Sequence, residues 1–376
     1  MLRVVTLSTL FPSRERPNFG LFVERQTRAL AARDGVEVQV VAPAGLPLWP
    51  LSLHPHYAPT RRLPRREAWD GLDVHRPRFR VLPLVGEAGA ARRLAAAALP
   101  LLRTLPCDVI DAEFFWPDGV AAMHLARATG VPFSIKARGS DIAYWGTKPA
   151  IARQMLEAAE AAAGLIAVSG ALKRDMAALG MKADKIRVHH TGADLDLFKP
   201  LPHAPGRVIA SVGNLVPVKG HRLAIEALRR LPGATLLVIG DGPERRRLEA
   251  AAAGLGERVR FLGALPHREL PQILARSDVM LLASEREGLA NAWVEALACG
   301  TPVVIPDVGG AREVVDRPEA GRIVERDAGA IAAAVEELFA APPDREKVRA
   351  CAARFSWERN AAELEAHLRV VSAQRH

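Results

Sequence analysis

Short apolar runs alternate with helix-spaced segments along the first half of the chain. Arg3–Leu7 and Glu37–Val41 are runs rich in β-branched residues, and Leu21–Ala32 between them places its apolar residues at helical spacing. Since strands that alternate with helices pair as a parallel sheet, the pattern predicts an α/β fold. Pro43–Arg80 has little periodicity and many prolines and arginines, so we expect a loop with short strands there. Further strands are predicted at Asp108–Ala112, Phe133–Lys136 and Leu165–Ser169.

A break in this rhythm indicates a domain boundary. Prolines and glycines cluster in Thr191–Pro205, and a new strand is predicted directly afterwards. We expect a first domain over residues 1–196, a second over 197–356, and an amphipathic helix in about 357–376 that returns to the first domain. Second-domain strands are predicted at Val208–Val212, Thr235–Ile239, Val259–Leu262, Val279–Ala283 and Pro302–Ile305. Its helices are predicted at His221–Arg230, Glu244–Gly254, His267–Ala275, Ala292–Cys299 and Ala328–Ala340.

Length and composition narrow the protein class. A chain of 376 residues suits two domains of about 150–200 residues each. There is no apolar run of about 18 residues that would predict a membrane span, and the first residues carry no cleavage site of a signal peptide. Cys107, Cys299 and Cys351 are too widely spaced for a disulfide framework. These features predict a cytoplasmic protein with reduced cysteines.

The positive charge lies in the first half. Residues 1–190 contain 26 Lys and Arg against 17 Asp and Glu, a balance of +9, whereas residues 191–376 contain 25 of each. Such an excess attracts phosphate groups, although a solvated surface is an equally simple interpretation. No RNP, KH or zinc-finger pattern accompanies the arginines, so nucleic acid is not an expected partner. We also hypothesise that the basic first half holds the protein on an anionic membrane surface, at the inner face of the cell membrane.

The stretch SEREGLANAWVEALACGTP, residues 284–302, carries the strongest local signal. A predicted strand leads into a loop and then a helix, with Glu287 just before the helix and Glu295 about two turns inside it. Because free amides at a helix N-terminus bind anions, this junction suits a diphosphate. Two carboxylates beside a phosphate site make chemical sense if each accepts hydrogen bonds from a sugar diol. On spacing alone, solvated glutamates explain the pattern as well.

This stretch resembles the E-x7-E element of retaining glycosyltransferases of family 4, which have the GT-B fold. The rest of the second half matches that family in order, through SVGNLVPVKG at 211–220, IGDGPE at 239–244, FLG at 261–263 and DVGGAREVV at 307–315. In the first half, LFP at 10–12, NFGLFV at 18–23 and RGSD at 138–141 are similar to a subgroup associated with bacterial cell-envelope polysaccharides, including teichuronic acid. Matching motifs in a fixed order are far more specific than any one of them.

The resemblance implies two Rossmann-like domains that face each other across a cleft. It also implies transfer of a sugar, with retention, from a nucleotide-diphosphate sugar to a glycan, lipid-linked or small-molecule acceptor. UDP is the expected nucleotide, with no metal and no other cofactor. The implied catalytic residues are Lys219, Glu287 and Arg138, and the implied acceptor-side residues are Arg138 and Asp141. The implied donor-binding residues are Gly20, Gly213, Asn214, Lys219, Gly263, Glu287, Gly288, Leu289, Ala290, Asn291 and Glu295.

Three positions depart from the family pattern. Asn214 stands where many members have Arg, so Lys219 must neutralise the diphosphate with the helix amides and another arginine. Arg138 stands where many have His, and since Arg cannot act as a general base, its role would be electrostatic. The usual glycine-rich helix start reads Leu289-Ala290-Asn291, where Asn291 would bind a phosphate or cap the helix.

Other function classes have weaker support. The segment Gly240-Asp241-Gly242 lacks the third glycine of a dinucleotide fingerprint, which argues against an NAD(P)-dependent dehydrogenase. Asp194-Leu195-Asp196 has the D-x-D form of a metal motif but lies beside the domain boundary, so we interpret it as hinge and packing. A nucleotide-sugar epimerase or hydrolase on the same fold is the main alternative, and a non-catalytic sugar-nucleotide sensor is another.

Overall fold

The computed structural model describes residues 1–82 and 86–374, which divide into two compact units. Unit 1 consists of Met1–His190 together with Trp357–His376, and unit 2 is Thr191–Ser356. The last two residues of the expected C-terminal segment, 375 and 376, lie outside the described residues. Within the described part of the chain, no helix is both long and apolar enough to cross a bilayer. Because residues 191–356 lie between the two segments of unit 1 in the chain, unit 2 is an insertion into unit 1.

Unit 1 is built on an eight-stranded sheet. The strands of the unit, eight of which form this sheet, are β1 (Leu2–Leu7), β2 (Val36–Val41), β3 (Ala44–Leu46), β4 (Arg66–Trp69), β5 (Leu72–His75), β6 (Arg78–Arg80), β7 (Val109–Ala112), β8 (Phe133–Ala137), β9 (Gly164–Ala167) and β10 (Ile186–Val188). Its helices are α1 (Leu21–Ala31), α2 (Ala58–Arg62), α3 (Ala90–Leu102), α4 (Val120–Thr129), α5 (Ser140–Ala143), α6 (Pro149–Ala161) and α7 (Gly170–Ala178). The sheet order is β10-β9-β8-β7-β1-β2-β5-β4, and β3 pairs with β6 separately.

The pairings of unit 1 follow from its sequence pattern. All pairs in the large sheet are parallel except β4 with β5, which join through a tight turn at Asp70 and Gly71. β7 and β9 are buried along their whole length, as expected for parallel strands covered on both faces. The poorly periodic segment 43–80 forms the four short strands β3–β6 and α2.

Unit 2 has a six-stranded, entirely parallel sheet. Its strands are β11 (Val208–Val212), β12 (Thr235–Ile239), β13 (Val259–Gly263), β14 (Val279–Leu281), β15 (Val303–Pro306) and β16 (Gly321–Val324), in the order β13-β12-β11-β14-β15-β16. Its helices are α8 (His221–Leu228), α9 (Arg245–Ala251), α10 (Leu270–Leu274), α11 (Asn291–Ala298), α12 (Ala311–Val314), α13 (Ala328–Ala340) and α14 (Arg345–Ala352). From β11 the next strands along the chain lie on one side and the later strands, beginning with β14, lie on the other. Ligands of such sheets bind outside the carboxyl ends of the strands at this change of direction.

The final helix, α15 (Trp357–Ser372), belongs to unit 1. Its buried residues Leu364, Leu368 and Val371 share a core with Leu2 and Val4 of β1. Arg33 also forms an ion pair with Glu365 of this helix. The predicted return of the C-terminal helix to the first domain is therefore confirmed, as is the Rossmann-like character of both units.

Candidate functional site

The loops after β11 and β14 meet at the carboxyl edge of the unit 2 sheet. Glu285 N–H donates to Val218 O at 2.8 Å, which joins the two loops directly. Gly220 adopts φ +69°, and a Cβ there would collide with the carbonyl oxygen of Ala283. Only glycine allows this approach, because the left-handed conformation and the contact both exclude a side chain. The junction brings Lys219 towards the loop that precedes α11.

Lys219 and Glu287 are in direct contact. The Nζ atom of Lys219 lies 2.6 Å from Oε1 of Glu287, and the Ser284 hydroxyl donates to the same oxygen at 2.7 Å. Both side chains are mostly buried, with 23% of Lys219 and 11% of Glu287 exposed. The structure thus pairs a cation and a carboxylate that are 68 residues apart in sequence. Ser284 is a contact that the sequence analysis did not single out.

A glycine loop after β15 supports the backbone at Glu287 and Gly288. Gly310 N–H donates to Gly288 O at 2.8 Å. Gly309 adopts φ +53°, and a Cβ there would collide with the carbonyl oxygen of Glu287. This loop therefore fixes the position from which the Glu287 side chain projects.

Helix α11, which follows the loop after β14, begins at Asn291. Ala290 is its N-cap in an extended conformation, and no side chain caps the first turn. The Asn291 side chain instead accepts a hydrogen bond from the Thr191 hydroxyl at 2.8 Å. The expectation that Asn291 caps the helix is therefore wrong, and its binding of a phosphate stays a prediction. Leu289 and Ala290 are buried. The first amides of α11 lack partners within the helix by geometry, which suits them to an anion.

Glu295 has a histidine partner that the sequence analysis missed. Its Oε1 lies 2.7 Å from Nε2 of His267, and only 9% of the Glu295 side chain is exposed. His267 lies in a short turn before α10, and its ring packs 5.1 Å from that of Phe198. A carboxylate oriented in this way leaves its second oxygen for another donor. The signal that could have found His267 is its place in the loop after β13, at the same sheet edge.

The remaining residues of unit 2 that are predicted to bind a donor have different surroundings. Asn214 is exposed, and its carbonyl accepts a hydrogen bond from Val216 N–H at 2.9 Å. Gly213 has room for a Cβ, whereas a Cβ on Gly240 would collide with the carbonyl of Gly213. The close approach therefore requires glycine at 240. Gly263, at φ +73°, accepts a hydrogen bond from Gly240 N–H at 2.8 Å and holds that turn.

An arginine that the sequence analysis did not name lies at the same edge. The Nε atom of Arg326, in the loop after β16, donates to Ala283 O at 3.0 Å. This carbonyl is the one that Gly220 approaches, so Arg326 is adjacent to the Lys219 loop. Arg326 is exposed. It is a cation at the same sheet edge as Lys219.

In unit 1, Gly20 has a local structural role. It is the N-cap of α1 at φ +70°, and a Cβ there would collide with the carbonyl group of Leu10. The close approach that requires glycine is therefore to the chain's own loop. The donor-binding role that the family resemblance implies for Gly20 stays a prediction.

Arg138 belongs to a buried network at the ends of β7 and β8. Its guanidinium forms an ion pair with Glu113, which is fully buried, and lies 4.7 Å from the centre of the Phe22 ring. Lys136 Nζ donates to Gln26 at 2.6 Å and lies 3.3 Å from Glu113. Burial would raise the pKa of Glu113, but the charges of Arg138 and Lys136 outweigh it and lower the pKa to about 2. Only 8% of the Arg138 side chain is exposed, so it reaches solvent over a small area.

Asp141 is a buried residue that organises the loop after β8. Its carboxylate accepts backbone hydrogen bonds from Phe115, Arg138 and Gly139 at 2.8 to 3.1 Å, and none of the residue is exposed. Burial raises its pKa although these amides act in the opposite direction. The carboxylate is used within the fold and holds the backbone of Arg138, and the acceptor-side role expected for Asp141 stays a prediction.

Unit 1 also contains a pocket of about 190 Å³ at the carboxyl ends of β1 and β2. Three phenylalanines, two arginines and several hydroxyl groups line it. The principal lining residues are Thr9, Phe11, Ser13, Arg16, Phe19, Thr60, Arg76 and Phe79. Arg76 is held by Glu67 and by the carbonyl of Pro12, whereas Arg16 lies over the Phe19 ring. Aromatic faces beside donors and hydroxyls suit a sugar-like ligand.

Comparisons with known proteins agree with this architecture. Residues 20–197 match the family described as Glycosyltransferase Family 4, and residues 195–355 match Glycosyl transferases group 1. A 2-deoxystreptamine glucosyltransferase of Streptomyces kanamyceticus is 32% identical over 62% of this chain and 69% of its own. A putative teichuronic acid biosynthesis glycosyltransferase of Bacillus subtilis is 28% identical over 89% of this chain and 88% of its own.

Solved structures share the fold. Sucrose-phosphate synthase from Thermosynechococcus elongatus has a TM-score of 0.83 at 21% identity, over 99% of this chain and all of that chain. HepE from Anabaena, in complex with UDP-glucose, has a TM-score of 0.72 at 22% identity, over 98% of this chain and all of that chain. At such identity the likeness concerns the fold, and it confirms the expected GT-B class.

Proposed function

The chain belongs to glycosyltransferase family 4, and from that premise we propose that it transfers the sugar of a UDP-sugar, with retention, to an acceptor of cell-envelope polysaccharide synthesis. A glycosyltransferase of this group uses a nucleotide-sugar donor and an acceptor. The proposal goes further in naming the nucleotide, the stereochemistry and the pathway class. The observation that carries it is the contact between Lys219 and Glu287 beside the first turn of α11.

The proposed chemistry at the leaving group is electrostatic. When the glycosidic bond breaks, the diphosphate gains negative charge, which fixed donors stabilise most effectively in a partly buried site. Hydrogen-bond donors at this edge can come from Lys219, from the amides of Asn291 and Ala292, and from Arg326. Arg326 would take the place of the arginine that Asn214 replaces. We propose that these groups act without a metal ion, so turnover should persist in EDTA.

The two carboxylates would bind the two sugar rings of the donor. Glu287 is held through Oε1 by Lys219 and Ser284, which leaves Oε2 for a hydroxyl of the transferred sugar. When the diphosphate binds, Lys219 would exchange Glu287 for phosphate oxygens while Ser284 keeps the carboxylate in place. Glu295, oriented by His267, would accept hydrogen bonds from the ribose diol. His267 is then a positioning residue, because it acts through Glu295.

The acceptor is proposed to bind unit 1. The 190 Å³ pocket offers aromatic faces from Phe11, Phe19 and Phe79 and a cation from Arg16. Arg138 would act electrostatically, since Glu113 and Phe22 hold its guanidinium in one orientation. The teichuronic acid relative supports an envelope polysaccharide as product, and the positive balance of residues 1–190 supports an acceptor at the inner face of the cell membrane.

A donor screen tests this function directly. Thermal shift and calorimetry with UDP-, GDP- and ADP-sugars should show binding to the UDP series, and Glu295→Ala should weaken it. Incubating the bound sugar nucleotide without acceptor should leave it largely intact, whereas rapid epimerisation or hydrolysis would favour the alternative activity. If no nucleoside diphosphate binds, the proposed donor site is wrong.

A further inference from the structure

Unit 1 exposes a run of large apolar side chains directly after β3. Leu48, Trp49, Leu51 and Leu53 are 50%, 77%, 58% and 57% exposed. Single exposed apolar residues are common on protein surfaces, but four within six residues form a patch that indicates an interaction site. None of the four lines the 190 Å³ pocket, so ligand binding in that pocket does not explain their exposure.

Exposed arginines adjoin these side chains. Arg61 and Arg62 end α2, and Arg65 and Arg66 follow within four residues. The Arg61 guanidinium donates to Ser52 O at 2.8 Å, which fastens the basic segment to the apolar run. Residues 38–66 contain no Asp or Glu. We call Leu48, Trp49, Leu51 and Leu53 with these arginines the Trp49 surface.

The nearest acids neutralise only part of this charge. Arg66 pairs with Asp73 of β5 at 2.8 Å, and Arg62 lies 3.9 Å from Glu15. Arg61 bonds a carbonyl group and keeps its full charge. The Trp49 surface therefore presents apolar side chains and a net positive charge on neighbouring residues.

We propose that the Trp49 surface binds an anionic lipid bilayer, with Trp49, Leu51 and Leu53 entering the interface. Tryptophan favours the headgroup level of a bilayer, and stable peripheral binding usually needs both an apolar and a basic signal. Each arginine near an anionic surface strengthens binding about fivefold, from roughly 1 kcal/mol each. The two signals are adjacent here, which matches a lipid surface better than a purely charged partner such as nucleic acid.

The position of α2 links this surface to the pocket. Pro59 and Thr60 of α2 line the pocket, and Arg61 and Arg62 of the same helix belong to the Trp49 surface. A bilayer bound there would lie beside the pocket wall. This assignment rests on the proposed function: the pocket would bind an acceptor that is carried on a lipid and presented at the membrane surface.

Vesicle co-sedimentation tests the proposal without donor or acceptor. The purified full-length protein is mixed with phosphatidylcholine vesicles that contain either none or about a third phosphatidylglycerol, at low and high salt. We expect binding to the anionic vesicles that falls at high salt but does not vanish, because the apolar part is not screened. The double variant Trp49→Ser/Leu51→Ser should lose at least tenfold in affinity, and Arg62→Gln/Arg65→Gln up to about twenty-fivefold, mainly at low salt.

Matched controls make the outcomes distinct. Val370→Ser removes an apolar side chain that is 58% exposed on α15, and it should leave vesicle binding unchanged. UDP affinity, measured by calorimetry, should be the same in all variants and checks that unit 2 is intact. Native binding to both vesicle types without preference, or equal loss in Val370→Ser, would overturn the proposal. So would ultracentrifugation in which the native protein is a dimer and the Trp49→Ser/Leu51→Ser variant a monomer, since the patch would then belong to a second copy. Failure of UDP to bind would contradict the donor site and leave this surface standing.

Discussion

Replacing Lys219 by alanine should separate catalysis from folding. The Lys219–Glu287 pair is 23% and 11% exposed, and removing the lysine leaves a mostly buried carboxylate with one hydrogen bond, from Ser284, which should lower folding stability by roughly 1–3 kcal/mol. The loss of one donor at a developing negative charge costs about 2.7–4 kcal/mol in the transition state. Since about 1.36 kcal/mol changes a rate tenfold, turnover should fall by roughly 10²–10³ in a variant that still folds at the assay temperature but melts a few degrees lower.

The structure adds a second expectation for the same variant. Without Lys219, the Glu287 carboxylate keeps its hydrogen bond from Ser284 but loses its counter-charge, so it should repel the diphosphate. Donor KM should therefore rise as kcat falls. The assay is steady-state sugar transfer, with unfolding followed by circular dichroism. Arg222→Ala is the control, since it removes a cation from α8 that is 78% exposed and paired with Glu226. Turnover within threefold of native, in a folded variant, would refute the electrostatic role of Lys219.

Three further predictions follow from other contacts. His267→Ala should weaken UDP binding about tenfold yet leave binding of 2′,3′-dideoxy-UDP, which lacks the ribose diol, unchanged; an equal loss for both nucleotides would show that His267 does not act through the ribose contact of Glu295. Gly309→Ala should lower stability by roughly 1–3 kcal/mol and reduce transfer, since a Cβ there collides with the carbonyl of Glu287; unchanged melting and activity would contradict this. Burial lowers the pKa of both His221 and His367 to about 4, below the 6.5 of an ordinary histidine. The unfolded chain therefore binds more protons at these two histidines between these values, so their contribution to the free energy of unfolding should fall as pH drops from about 6.5 to 4, whereas Asp118, whose pKa burial raises to about 7, acts in the opposite direction. Comparing urea titrations of the native protein and His367→Gln isolates the histidine contribution, and the same pH dependence in both would be inconsistent with a neutral buried His367.

Periodicity predicted the regular elements well where a strand or helix is continuous. Val208–Val212, Thr235–Ile239 and Ala328–Ala340 have the predicted bounds. The helix expected at His267–Ala275 instead begins with a separate turn, His267–Glu269, and α10 covers only Leu270–Leu274. Apolar spacing does not distinguish a tight turn from the first turn of a helix when both bury the same side.

The candidate site was less accessible from the sequence. Spacing alone left Glu287 and Glu295 open to interpretation as solvated residues, and the pairing of Lys219 with Glu287 depends on two loops that only the sheet order brings together. For Arg138 the sequence predicted a ligand contact, which stays a prediction, and it did not reveal the ion pair with Glu113 on the neighbouring strand end. One signal was available, because Glu113 and Lys136 are opposite charges at the ends of two predicted strands.

The position of α15 in the chain has a consequence for synthesis. Leu364, Leu368 and Val371 complete a core whose other members include Leu2, Val4 and Val109, so the first unit to be translated lacks part of its interior until the last segment has left the ribosome. The inserted unit, Thr191–Ser356, is continuous and has its own core, so it can fold earlier. During translation the inserted unit should therefore mature before the unit that precedes it, and a nascent chain stalled before residue 357 would expose Leu2, Val4 and Val109 to chaperones.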